Sequence, residues 1–491
     1  MTTTARSDET LPATLPPPAL RDEVARIFAL QQGTRWRVAR TTARERIAKL
    51  ERLGAAIAAR REEIAAAAHE DLRKPAAEVE ITEIHPALAE IRVATRHLAA
   101  WMRPQRVPTP LLLLGTRSEI RYEPRGVVLI LAPWNYAFSL VISPLVAAVA
   151  AGNCAILKPS EKAPHTSALV ARLVADVFDA SEVAVVEGGA EEAEALLALP
   201  FDHVFFTGGI RVAKLVMAAA ARHLASVTLE LGGKSPAIVD ESADVREAAE
   251  RIVWGKFWNA VQTCVAPDYV LVHERRAAAF LGEVRRALSA FYGADDAARA
   301  RTPDFCRIVD DEHFARLADV LARTVAAGAV VAAGGQTNAA QRYIAPTVLS
   351  GVTLAHPVME EEIFGPILPV LTWTDVDEAL SRIRPLGKPL ALYVFSARRP
   401  FVEHVLAHTT AGATAVNATM LQYANPHLPF GGVGASGMGS YHGEHGFRAL
   451  SHERAVLRQH WPALVRFFFP PYDGPLPRLA KRALRLLHRR S

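Results

Sequence analysis

Three side chains in this sequence have the types needed to take an acyl group from a carbonyl compound: Cys264, Glu230 and Asn135. A thiolate attacks carbonyl carbon, a glutamate at the end of an apolar strand can take a proton from water, and an asparagine amide can donate to a developing oxyanion. Cys264 closes the stretch Phe257-Trp258-Asn259-Ala260-Val261-Gln262-Thr263-Cys264, Glu230 opens Glu230-Leu231-Gly232-Gly233-Lys234, and Asn135 lies in Pro133-Trp134-Asn135-Tyr136. Each also has a plainer reading. An isolated cysteine is most often a small core filler, a strand-end glutamate can simply face water, and a loop asparagine commonly caps a turn.

The elements that would position these groups follow from periodicity. Val245, Ala248, Ala249 and Ile252 have helical spacing and predict a helix before the cysteine, with Ser242 as its cap, while Tyr269 to Val272 reads as a buried strand after it. Upstream, strand-like runs at Gly126 to Ala132, Cys154 to Leu157, Val183 to Val186, His203 to Phe206 and Ser226 to Leu229 alternate with helical runs. Repeated βα units with apolar strands imply an α/β fold with a parallel sheet covered on both faces, the usual seat of a dinucleotide. A second α/β series runs from Pro236 to about Val416. Arg35 to about Arg103 reads as amphipathic helices, and Pro104 to Pro124 as an extended arm or hairpin suited to pairing with another subunit. The uncharged run from Gly126 to Leu157 has the length of a membrane span, but Pro133, Asn135, Pro144 and Asn153 break it into strand, loop, helix and strand.

Further candidates sit where strands give way to helices or turns. Thr207-Gly208-Gly209 lets backbone amides approach a phosphate at a helix N-terminus, although the G-x-G-x-x-G fingerprint is absent. Lys158 and Glu161 follow a strand directly, where a ribose diol could meet the carboxylate; a solvated surface pair is the alternative. Glu362 and Phe364, in Glu361-Glu362-Ile363-Phe364-Gly365-Pro366, combine carboxylate, aromatic ring and turn. Tyr136, Trp254, Trp258 and Thr263 flank the reacting groups and suggest an apolar funnel, or else core packing. His442-Gly443-Glu444-His445 matches neither HExxH nor HxxEH, so no metal is assigned.

Composition narrows the field. At 491 residues the chain is long enough for two or three domains. Its charge of +5 comes from the six basic residues beyond Gly474, which leave the body near neutral and give no sign of a nucleic-acid partner. Cys154, Cys264 and Cys306 are odd in number and unpaired in sequence, which argues for a reducing, cytoplasmic setting over a disulfide framework or zinc site. Residues 1–20 look like a disordered leader without a secretory pattern. After Arg454, Leu476, Leu479, Ala480, Ala483, Leu484 and Leu487 recur at helical spacing among basic residues. Such a tail suits a membrane surface, and equally a protein surface.

Taken together, PWNY at Pro133, GNCAILKPSE at Gly152, FTGG at Phe206, LELGGKSP at Leu229, QTCVAPDY at Gln262, EEIFGPILPV at Glu361 and LPFGGVGASGMG at Leu428 resemble the aldehyde dehydrogenase superfamily, most closely its class 3 branch of aromatic and fatty aldehyde enzymes. The resemblance spans nearly the whole chain to about Arg454. It implies a Rossmann-type NAD-binding domain over residues 125–231, a catalytic domain over 232–416, N-terminal helices over 21–103, an oligomerisation arm over 104–124, a return segment over 417–460 and a basic tail over 461–491. It further implies Cys264 as nucleophile, Glu230 as the base for water and Asn135 as oxyanion donor. Lys158 and Glu161 would hold the adenosine ribose, Gly208 and Gly209 the pyrophosphate, and Glu362 and Phe364 the nicotinamide ribose. A carboxylate at Glu161 favours NAD, and Lys158 beside it keeps NADP compatible. The implied product is a free acid, made by a homodimer from a hydrophobic aldehyde. Transfer to coenzyme A and a catalytically weak NAD-binding scaffold are the alternatives. The family has glycine three residues before the cysteine, whereas this chain has Val261, a strained choice if that position needs positive φ.

Overall fold

The computed structural model describes residues 16–110, 113–460, 469–475, 478–479 and 481. Most of the leader and of the basic tail therefore lies outside the described residues, as do Leu111 and Leu112. Within the former leader, the first helix already begins at Pro18 and runs to Ala39, a boundary earlier than the sequence pattern suggests because its apolar stripe is sparse. The helices Ala43–Ala59, Arg61–Leu72 and His85–Trp101 follow; Ala43–Ala59 is opened by a Thr42–Glu45 capping box.

Two parallel sheets form the centre of the molecule. The first has six strands in the spatial order Gly437–Met438, Ser226–Glu230, His203–Thr207, Val127–Leu131, Cys154–Lys158 and Val183–Val185, all parallel except the short first strand. The Val127–Leu131, Cys154–Lys158 and His203–Thr207 strands are buried along their whole length, as strands covered on both faces should be. The uncharged stretch folds as strand, loop, the helix Ser139–Ala151 and strand, and no helix among the described residues is long and apolar enough to cross a membrane.

The second sheet has seven strands in the order Val330–Ala333, Thr347–Ser350, Ile367–Trp373, Tyr269–His273, Pro236–Val239, Ala391–Phe395 and Ala413–Val416. All are parallel except Val330–Ala333. The helix Val245–Phe257 precedes the cysteine loop, but its cap is Asp244, which accepts from the Glu247 amide; Ser242 instead donates to Asp240. The predicted arm is the strands Gln105–Val107 and Thr116–Pro124, and the latter pairs along nine positions with Ser451–Gln459 to make a three-stranded antiparallel sheet.

Candidate active site

The carboxyl edge of the six-stranded sheet and the amino edge of the seven-stranded sheet supply the groups singled out above. In register, Leu131 lies beside Lys158 and Thr207 beside Glu230, so these four residues mark one sheet edge. Cys264, Lys234 and Glu361–Phe364 all immediately precede strands of the second sheet.

Two cavities meet here. One, of about 220 Å³, is lined by Trp134, Asn135, Gly208, Gly209, Gly232, His313, Arg316, Glu362 and Phe364. The other, of about 230 Å³, is lined by Tyr136, Trp254, Trp258, Thr263, Tyr423, Phe430, Tyr441 and His442. Cys264, Glu230 and Thr207 line both. The sulfur and the carboxylate therefore stand in a shared wall between a cleft with nucleotide-binding features and an aromatic chamber.

The loop that presents the sulfur is held by a closed set of buried amides. Asn135 Nδ2 donates to Gln262 O at 2.9 Å, and Asn259 Nδ2 donates to Asn135 O and Gln262 O at 2.9 and 3.1 Å. Gln262 Nε2 donates to Asn259 O and Arg307 O, while its Oε1 accepts from the Val309 amide. One hydrogen of the Asn135 amide is thus committed to the loop, leaving the second for the cleft. The loop also carries strain. Asn259, Ala260 and Val261 have φ of 51, 47 and 66°, three consecutive non-glycine residues in the left-handed region, where a β-branched side chain is least at ease. Val261 sits where positive φ is required.

Burial shapes the acid–base character of the wall. Burial, with Glu362 and Glu230 nearby, pushes the partly buried Cys264 thiol up to about 12, and the amides of Cys264 and Val265 work against that rise. Glu230 is 2% exposed, both carboxylate oxygens lack a hydrogen-bond partner among the described residues, and burial holds its pKa well above the usual carboxylate range. Burial pushes Glu362 up to about 8. A Cβ on Gly232 would lie 2.1 Å from Glu362 Oε2, so any larger residue there would displace that carboxylate.

Below this loop Lys234 Nζ donates to Asp268 Oδ2 at 2.6 Å, Glu361 O at 2.8 Å and Val358 O at 3.1 Å, and Asp268 Oδ1 accepts from the Ile363 amide. This buried ion pair fixes the segment that bears Glu362 and Phe364. Trp134 packs edge-on against Phe364 and His313, with ring centroids 5.5 and 5.2 Å apart.

Lys158 and Glu161 do not line either cavity. Lys158 is two strands on from Thr207, about 10 Å away at ordinary strand spacing, and its ammonium bonds Glu161 at 2.9 Å. Partial burial raises the Glu161 carboxyl, but Lys158, the Glu161 backbone amide and Lys162 together outweigh it and hold the carboxyl below the ordinary range.

On the substrate side, Tyr136 Oη and Thr263 Oγ1 are 2.6 Å apart and the Trp254 and Trp258 rings meet edge-on at 4.7 Å. His442, in the His442-Gly443-Glu444-His445 run, lines the chamber and is no metal ligand. It pairs instead with Glu90 at 2.5 Å, while Glu444 turns to Arg448. His313, Arg316, Tyr423, Phe430 and Tyr441 also line these cavities, and nothing local to them in the sequence signals a cavity. Among the described residues, Asp310, Glu312 and His313 are grouped closely enough for a metal ion, but the Lys162 ammonium already occupies Asp310 Oδ2 at 2.7 Å.

Residues 16–456 match the model of the aldehyde dehydrogenase family. The chain belongs to that family. It is 44% identical over 412 residues to human aldehyde dehydrogenase family 3 member B1, covering 84% of this chain and 86% of the relative. A solved structure described as the substrate-bound state of Staphylococcus aureus AldH is similar with a TM-score of 0.89 and 42% identity, covering 93% of this chain and 99% of that one. The NAD+ complex of an aldehyde dehydrogenase from Bacillus cereus gives a TM-score of 0.81 at 27% identity, with 89% of each chain covered. This aldehyde dehydrogenase thus has the fold expected from its motifs, and the family 3 relative agrees with the class 3 resemblance.

Proposed function

We propose that the protein oxidises a hydrophobic aldehyde, aromatic or of medium to long chain, to the free carboxylic acid with NAD, NADP being compatible. The observation that carries this reading is the shared wall: Cys264 and Glu230 face both a cleft with nucleotide-binding features and an apolar chamber. The cleft fits a dinucleotide. Gly208 and Gly209 keep side chains away from a helix N-terminus, Gly232 leaves room for the Glu362 carboxylate, and the edge reaches on to Lys158 and Glu161. Residues 125–231 would form the cofactor part and 232–416 the catalytic part. When bound, the nicotinamide supplies the hydride acceptor.

The Cys264 thiol releases its proton to solvent as its sulfur bonds the aldehyde carbon, the carbonyl π electrons move to oxygen, and that oxyanion is held by the Asn135 amide and the Cys264 backbone amide. Loss of hydride then leaves an acyl group on Cys264 as a thioester. Glu230 takes a proton from water, the oxygen adds to the acyl carbon, and the sulfur leaves as thiolate to regenerate the nucleophile. Glu230 lines both cavities with its two oxygens buried and without a partner among the described residues, so a small turn of the side chain brings a carboxylate oxygen to a water beside the acyl carbon. A buried carboxyl with a raised pKa suits a base of this kind, and its placement supports hydrolysis over transfer to coenzyme A. Tyr136, Trp254, Trp258 and Thr263 would cradle the apolar part of the aldehyde.

The outer strand Ser451–Gln459 of the three-stranded sheet is largely exposed, which supports pairing with a second copy as a homodimer. The basic tail would add peripheral membrane contact to a cytoplasmic enzyme. The test is reduced-cofactor absorbance over a panel of aldehydes graded by chain length and aromaticity, with and without coenzyme A. Turnover independent of coenzyme A and absent in Cys264→Ala supports the reading. A parent that binds NAD but turns over no aldehyde would leave it a scaffold.

A further inference from the structure

A third cavity, of about 300 Å³, lies on the same amino edge of the seven-stranded sheet, and neither Cys264 nor Glu230 lines it. Leu392 and Tyr269, 1% and 0% exposed, contribute an apolar floor, and the buried Tyr269 hydroxyl has no hydrogen-bond partner among the described residues. The charged lining is of one sign. Lys234, Arg384 and Lys388 are joined by His408, and no carboxylate lines the cavity.

These cations are not equivalent. Lys234 already uses its ammonium on Asp268, Val358 and Glu361. Arg384 and Lys388 are exposed and have no carboxylate partner among the described residues; Arg384 donates to His408 O at 3.4 Å. A concave site with an apolar floor and two uncompensated cations is complementary to an anion carried on an apolar body.

We propose that this cavity binds an amphiphilic anion, a carboxylate or phosphate head on a short aliphatic tail, with the head between Arg384 and Lys388 and the tail over Leu392 and Tyr269. This site stands apart from the substrate assigned above, since its test requires no aldehyde.

Isothermal titration of the full chain with octyl phosphate, octanoate, octanol and inorganic phosphate, in the parent and in the double variant R384E/K388E, decides the matter. Octanoate can also enter the chamber beside Cys264, so the binding that counts is the part lost on charge reversal. Both amphiphilic anions are expected to lose at least tenfold in affinity in the double variant, with octanol and inorganic phosphate at least tenfold weaker than octyl phosphate in the parent. A stronger response to one amphiphile identifies the head as carboxylate or phosphate. The double variant should keep its thermal midpoint, which excludes misfolding as the cause. Equal binding in parent and variant, or no binding of either amphiphile to the parent, overturns the proposal.

Discussion

Glu230→Gln separates chemistry from folding in one substitution. The carboxylate is 2% exposed with no partner for either oxygen among the described residues, so a glutamine of nearly the same shape breaks no hydrogen bond present in the fold. Loss of a general base lowers steady-state turnover by about 10²–10⁴, roughly 3–5 kcal/mol of barrier. Hydride loss precedes the water step, so a rapid burst of reduced cofactor approaching one per chain should survive in the variant. Stability should respond in the opposite sense. Burial raises the folded pKa above the ordinary 4.5, so the native state binds its proton more tightly than the unfolded chain. Ionisation therefore opposes folding as pH rises above the unfolded value, and this opposition stops growing once pH passes the folded pKa, each unit being about 1.4 kcal/mol. Glu230→Gln should accordingly be at least as stable as the parent at pH 8 and gain nothing at pH 4. Stopped-flow absorbance and denaturant melts at the two pH values check both halves. Loss of the burst together with steady-state turnover, or a fall in stability at pH 8 of more than about 2 kcal/mol, would refute the reasoning, because an unpartnered carboxylate offers no such bond to lose.

Other substitutions test the parts around it. Val261→Gly relieves left-handed strain of about 1–2 kcal/mol but gives up about 1.5–3 kcal/mol of buried side chain, so denaturant unfolding should show a net loss well below that of an unstrained buried valine. Lys234→Met leaves Asp268 buried without its cation, a cost of about 3–5 kcal/mol, and should raise the KM for cofactor more than it lowers kcat, as steady-state kinetics would show. If Glu161 is the proposed ribose contact, Glu161→Gln removes a charge that would face a 2′-phosphate and should move the NADP-to-NAD preference upward by roughly five- to thirty-fold, or about 1–2 kcal/mol, in paired titrations of the two cofactors.

Sequence made visible what is local. The alternation of apolar runs from Gly126 to Leu229 placed the five parallel strands of the first sheet to within a residue or two, though not the short antiparallel Gly437–Met438, and the glycines after Phe206 and Leu231 marked the turns that lie at the cleft. The family resemblance flagged Val261, whose φ of 66° is a conformation that glycine adopts more easily than valine. What stayed hidden depends on distant partners. His442 reads as surplus histidine until Glu90, 352 positions earlier, closes on its Nδ1. The pairing of Thr116–Pro124 with Ser451–Gln459 is likewise set by the completed fold and by no feature of either strand alone. Ser242 and Asp244 are both good caps, and the choice between them rests on Ser242 being drawn to Asp240 and Ser396.

The central claim is that the aldehyde carbon becomes bonded to the sulfur at position 264. Intact-mass and peptide mass spectrometry of Glu230→Gln, quenched within the burst after mixing with NAD and a hydrophobic aldehyde, measures this directly. One acyl group per chain on the peptide containing Cys264 is the predicted result. Reduced cofactor formed with no acyl group on the protein, or with the acyl group on Cys154 or Cys306, would contradict it.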